Sequence, residues 1–151
     1  MSDICEPASA PSPHALATAK DLPRTFPHHP ALEGRGRSAL GRVLAAYVAY
    51  NSVDGYCQGM NFIAGLLILF LPEETDFKSF AQLLKCILQG YHAQDLKTLL
   101  VDQLVFDHLL KDRFPDVEEH LTYLGVKSSA VTAHWFLTAF VNTLQMQALL
   151  R

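Results

Sequence analysis

The sequence is short of cysteine, short of basic charge and without a long apolar run, and each shortage removes a class of protein. Its three cysteines, Cys5, Cys57 and Cys86, stand far apart, with no C-x-x-C pair. They cannot build a disulfide framework or a four-ligand zinc site, which leaves reduced thiols in the cytoplasm as the simplest reading. Basic residues are not in excess: 12 Lys and Arg face 15 Asp and Glu, a formal charge of −3. That excludes a nucleic-acid binder driven by phosphate neutralisation. His28, His29 and His134 lack the H-E-x-x-H spacing of a metal site, so no metal is expected. No G-x-x-x-x-G-K-[ST] or G-x-G-x-x-G motif occurs, so the chain is not expected to hold a nucleotide or cofactor of its own. The longest apolar run, Phe62 to Leu71, has ten residues, whereas a spanning helix needs about twenty. Asp3 and Glu6 precede any basic residue, and Pro7, Pro11 and Pro13 interrupt the start, which is not the pattern of a secretory signal.

What is present is enough apolar material for a core. Half of the 151 residues are hydrophobic and 18% are charged, a composition of one folded domain rather than of disorder. Residues 1–20 are rich in Ala, Ser and Pro without periodicity and are expected to form a disordered N-terminal arm. Residues 21–151 then make the domain. It begins with a stretch dense in Pro and Gly, which permits only turns and short extended pieces up to Arg37. From Ser38, a candidate N-cap, Leu40, Val43, Leu44, Tyr47 and Val48 recur at helical spacing. A second helix is expected from near Tyr56–Gly59 to Leu71, and a third on Phe77, Phe80, Leu83, Leu84, Ile87 and Leu88, ending at Gly90. A fourth spans about Asp95 to Lys111, with Leu100, Leu104, Leu109 and Leu110 on its apolar face. A short fifth opens at Pro115, and a sixth, capped by Ser128 or Ser129, carries Trp135 and Phe136 into the core. No segment alternates with period two. The expectation is an all-α fold, an irregular helical bundle.

Two segments carry candidate chemistry. Arg24 lies in Asp21-Leu22-Pro23-Arg24-Thr25-Phe26-Pro27, where the prolines stiffen the backbone and could present a guanidinium to a phosphate or carboxylate. Gln58 lies in Gly55-Tyr56-Cys57-Gln58-Gly59-Met60-Asn61. Two glycines bracket an amide that both donates and accepts, which suits the orientation of a water. Taken singly, each has an ordinary reading: a surface Arg beside Asp21, and a Gln bonded to local backbone. Cys57 has no base assigned to it by the sequence and reads as a small hydrophobe. Gly34-Arg35-Gly36-Arg37 reads as a solvated basic turn.

Together, in this order and about thirty residues apart around a helix, the two segments resemble the signature motifs I-x-x-D-x-x-R-T-x-P and Y-x-Q-G-M. These belong to the TBC-domain family of Rab GTPase-activating proteins. The resemblance continues through Pro72-Glu73-Glu74, Pro115 and Trp135-Phe136-Leu137, and covers about residues 21–150. It implies the N-terminal and central part of a TBC domain, and an activator with no independent catalytic site. Arg24 would be the arginine finger and Gln58 the glutamine finger, both inserted into a Rab-type small GTPase that itself holds GTP and Mg²⁺. Asp21 would hold the arginine loop, with Tyr56 and Gly59 supporting the glutamine. The implied setting is vesicle trafficking in the cytoplasm, with peripheral recruitment to endomembranes through the partner and no transmembrane segment. The family's Ile three residues before Asp21 is here Thr18. Its preceding Arg- and Trp-bearing segment and its following I-W-D-like segment do not occur. The resemblance thus implies a truncated member, and with it a second expectation: a non-catalytic module that binds a partner without stimulating GTP hydrolysis.

Overall fold

Eight α-helices and one 3-10 helix make up the regular structure of residues 12–151, the part of the chain that the computed structural model describes; no strand occurs among them. The all-α expectation is met. The expected disordered arm is not, where it can be followed. Residues 1–11 lie outside the described residues, but α1 spans Pro13–Asp21. The Ser12 side chain accepts the Ala15 amide N–H at 3.2 Å, and Pro13 takes the first turn, where a missing N–H costs nothing. Ala15, Ala17 and Ala19 then favour the helix. Thr18 and Asp21 are its buried residues.

After the 3-10 helix Pro30–Leu32, α2 runs from Arg35 to Tyr50. Of its predicted face, Leu40, Val43, Leu44 and Tyr47 are buried and Val48 is half-buried. Its start is earlier than predicted. Gly34 is the N-cap, and Ser38 sits inside the first turn, its hydroxyl donating to the Gly34 carbonyl at 3.1 Å. α3 (Met60–Leu67) and α4 (Glu73–Cys86) complete a three-helix core in which α2, α3 and α4 all touch one another. Met60, Ile63, Ala64, Phe80 and Leu84 fill it. α3 stops before Leu71, and the chain turns ahead of Pro72. Because α4 ends at Cys86, Ile87 leaves the predicted apolar face and is exposed. Arg42 of α2 holds Glu73 of α4 through two 2.7 Å bonds.

The second half comprises α5 (Lys97–Arg113), α6 (Pro115–Tyr123), α7 (Ser129–Leu137) and α8 (Met146–Leu149). The face predicted for α5 is overturned. Leu100, Leu104 and Leu109 are exposed and Leu110 is half-buried, while Leu99 and Gln103 point inward. The cause is α7: Gln103 donates through Nε2 to the Ser129 carbonyl at 3.1 Å, and this contact fixes which side of α5 is covered. Ser128 does not cap α7 through its side chain; its hydroxyl bonds to Asp107 of α5 instead. Trp135 and Phe136 each pack edge-on against Phe106 on one side and contact Phe140 on the other, with ring centroids 5.7–6.4 Å apart, within the range favourable to aromatic contact. Among the described residues no helix is long and apolar enough to cross a membrane.

Candidate functional site

The turn after α1 presents Arg24. Its amide donates to the Asp21 carbonyl at 3.2 Å, and the Thr25 amide donates to that of Leu22 at 3.3 Å. The Asp21 side chain is buried at 5% exposure. An isolated buried carboxylate would be costly, and Asp21 has two partners. Arg24 Nη2 lies 2.6 Å from one oxygen, and the Tyr56 hydroxyl donates to the other at 2.5 Å. The Arg24 side chain remains half-exposed. It is tethered at the root yet reachable from solvent.

Tyr56 belongs to the loop that carries Gln58, so Asp21 links the two predicted segments directly. A second link runs through Asn61, which is fully buried. Its Nδ2 donates to Thr25 Oγ1 at 2.8 Å, and its Oδ1 accepts the Gly59 amide at 3.2 Å and lies 3.2 Å from the Tyr56 hydroxyl. Thr25 Oγ1 in turn donates to the Asp21 carbonyl at 2.8 Å. Asp21, Tyr56, Asn61 and Thr25 thus close a ring of polar contacts between the arginine and glutamine loops. Burial, reinforced by the bond to Asp21, raises the Tyr56 phenol far above its ordinary value, so it stays a neutral donor. α1 adds a strut: the Tyr56 amide donates to His14 Nδ1 at 3.1 Å.

Gln58 is exposed at the tip of the tight turn Cys57–Met60, in which the Met60 amide donates to the Cys57 carbonyl. Gly59 makes this turn possible. Its φ is +110°, and a Cβ there would lie 2.7 Å from the Leu137 carbonyl oxygen, so an L side chain is excluded on both counts. The same oxygen accepts from His92 Nε2 at 2.9 Å. Burial pushes the His92 ring below its ordinary value, keeping it neutral.

Arg24 and Gln58 line one open cleft of about 550 Å³, together with Leu16, Lys20, Asp21 and Tyr56. All five predicted site residues, Asp21, Arg24, Tyr56, Gln58 and Gly59, therefore fall in one neighbourhood. Cys57 is next to them, but burial raises its thiol, which makes it a poor nucleophile. Among the described residues no three metal-ligating side chains gather. The cleft offers a cation and an amide to whatever docks against it.

Sequence reasoning missed four supports: His14, Thr25, Arg37 and Asn61. Asn61 did carry a signal, a lone amide at the head of an apolar helix, which demands buried partners. Arg37 carried none. It is not on a solvated turn; its guanidinium bonds to the carbonyls of Leu22 and Thr25.

A family model, the Rab-GTPase-TBC domain, matches residues 6–151. Among curated proteins, the chain is 34% identical over 147 residues to Rab GTPase-activating protein tbc-11 of Caenorhabditis elegans, covering 92% of this chain and 15% of that one. It is 34% identical over 151 residues to Carabin of Mus musculus, covering 97% of this chain and 34% of that protein. The crystal structure of the Chlamydomonas flagellar RabGAP TBC domain superposes with a TM-score of 0.75 at 30% identity, over 92% of this chain and 47% of that one. The chain thus spans less than half the length of each of these relatives.

Proposed function

The chain belongs to the Rab-GTPase-TBC domain family, and from that premise we propose that it accelerates GTP hydrolysis by a Rab-type small GTPase. Arg24 and Gln58 enter the partner's nucleotide site, where the partner holds GTP and Mg²⁺. The Arg24 guanidinium offsets charge that develops on the phosphoryl oxygens, and the Gln58 amide orients the attacking water. An arginine supplied in trans contributes about 10³–10⁵ in rate, or roughly 4–7 kcal/mol of barrier. Asp21 keeps the bond from Tyr56 when Arg24 turns toward phosphate, so its charge is not left bare. The loops that carry the two side chains are held in place beforehand, so the backbone needs little reorganisation when the side chains reach the nucleotide. The activator is cytoplasmic in this reading and reaches endomembranes through its partner.

One observation supports the reading most: both side chains are open to solvent on a single cleft while their loops are bound together beneath it. The test is single-turnover hydrolysis by a panel of GTP-loaded Rab-type GTPases. Wild-type chain is expected to accelerate at least one of them, and Arg24→Ala and Gln58→Ala each to abolish the acceleration. Acceleration that survives both substitutions rejects the finger assignment. The apolar side chains left exposed along α5, Leu100, Val101, Leu104, Val105 and Leu109, favour a second reading. In it the chain is an interaction module, distinguished by partner binding without turnover.

A further inference from the structure

We propose that Arg37 is a positioning residue for Arg24, acting through the backbone of the arginine turn; its consequence for catalysis rests on the reading above. Apart from the Thr25 hydroxyl, which donates to the Asp21 carbonyl, the turn has little internal backbone support. Its two internal backbone bonds are long, at 3.2 and 3.3 Å. The residue that leaves it, Phe26, sits at φ +43°, a left-handed conformation that costs a bulky L residue about 1–3 kcal/mol unless its surroundings hold it. Besides the Tyr56 bond to the Asp21 side chain at its start, two external clamps hold its later residues. From α3, Asn61 grips the Thr25 hydroxyl at 2.8 Å. From α2, Arg37 Nη1 donates to the carbonyls of Leu22 and Thr25. Those two carbonyls bracket Pro23 and Arg24, so a single guanidinium spans the root of the finger.

Arg37 itself is held firmly from behind. Gly36 lets the 3-10 helix lie against the first turn of α2, since a Cβ at position 36 would stand 1.8 Å from the Ala31 carbonyl oxygen. Leu32, fully buried, anchors that contact. Arg37 therefore projects from a rigid helix end, half-buried, with two carbonyl acceptors and no carboxylate in an ion pair with it among the described residues. A guanidinium suits the task because its donors are fixed in a plane, whereas an ammonium is a single rotating point. With Arg37 removed, the turn keeps its bonds to Asn61 and Tyr56, but the Leu22 and Thr25 carbonyls on either side of Arg24 lose their shared donor, and Arg24 moves relative to Gln58. A displacement of about 1 Å of a catalytic group lowers rate about 100-fold.

The test has two independent readouts on the full chain. In single-turnover hydrolysis, Arg37→Ala is expected to lower the maximal stimulated rate by about 10- to 100-fold while the half-saturating concentration of activator stays within about twofold. Arg37→Lys, which keeps one donor, restores part of the loss. A maximal stimulated rate that Arg37→Ala leaves unchanged, or a change confined to half-saturation, overturns the proposal. The second readout needs no GTPase. Amide hydrogen exchange at Arg24 and Thr25 is expected to rise about tenfold or more in Arg37→Ala, with Leu44 in α2 and Ala64 in α3 unchanged. Unchanged exchange at Arg24 and Thr25, or faster exchange at all four positions, overturns it. Locally faster exchange with a wild-type chain that stimulates no GTPase sustains the positioning role and rejects the activity reading instead.

Discussion

Two buried carboxylates show how much a partner matters at the residue scale. Asp21 has Arg24 and the Tyr56 hydroxyl. Asp76, fully buried in α4, has no hydrogen-bond partner on either oxygen among the described residues. Removing the donor from Asp21, by Tyr56→Phe, is expected to cost about 1–3 kcal/mol, read as a lower midpoint in urea. The cost stays moderate because Arg24 still meets the charge. At Asp76, burial, with the negative Glu73 nearby, raises the carboxyl to about 7. An unfolded Asp titrates near pH 3.9, at roughly its reference value. Between those values the folded chain keeps a proton that the unfolded chain has released, so this group's contribution to stability falls as pH rises through the window. His92 acts with the opposite sign. Its lowered value means that the unfolded chain takes up a proton first below about pH 6.5, and stability falls as pH falls there. Asp76→Ala is therefore expected to raise stability at pH 8 by on the order of 2–4 kcal/mol. It also makes the slope of stability against pH more positive between pH 5 and 7. Urea titrations of both proteins at pH 5, 6, 7 and 8 check this; parallel curves would reject it.

At the scale of elements, the helices follow from their periodicity, and their covered faces do not always. α2 and α4 bury Leu44 and Phe80 because apolar side chains recur on one side. α5 has apolar residues nearly all round, so periodicity alone could not select a face, and α7 selected it through Gln103. The contrast is measurable. Phe80→Ala, at a fully buried site against the Tyr47 ring 5.0 Å away, is expected to cost about 3–5 kcal/mol. Leu104→Ala, at a site 70% exposed, should stay within about 0.5 kcal/mol, although the sequence places both in apolar faces. Thermal or chemical melts of the two variants decide it. α1 is the element the composition concealed. Ser12-Pro13 is a capping pair with its signal intact, but the Ala, Ser and Pro around it resemble an arm when read as bulk composition. The helix matters to the site because His14 and Leu16 on it support and line the cleft.

Over the whole molecule, the core of α2–α4 and an aromatic cluster around α7 meet at a joint that includes the glutamine turn. There Gly59 packs on the Leu137 carbonyl, which His92 also holds, and Phe62 meets His134 edge-on at 5.9 Å. The residue after Gln58 is thus part of the seam between the two halves. Gly59→Ala is expected to cost about 2 kcal/mol or more through the positive φ and the 2.7 Å approach. It should also lower stimulated hydrolysis beyond Tyr56→Phe, since Gln58 moves with the joint; a melt and a single-turnover assay on each variant compare them. The sequence by itself determined the helical class, the order of most helices and the two segments that carry Arg24 and Gln58. Those depend on local spacing, on turn residues and on short motifs, all of which are properties of neighbouring positions. The tertiary structure alone decided that the two segments share a cleft, that Asn61 and Thr25 join them, and that Arg37 grips the arginine turn. Such contacts link residues 12 to 36 positions apart, and no local pattern encodes which distant partner a buried polar group will find.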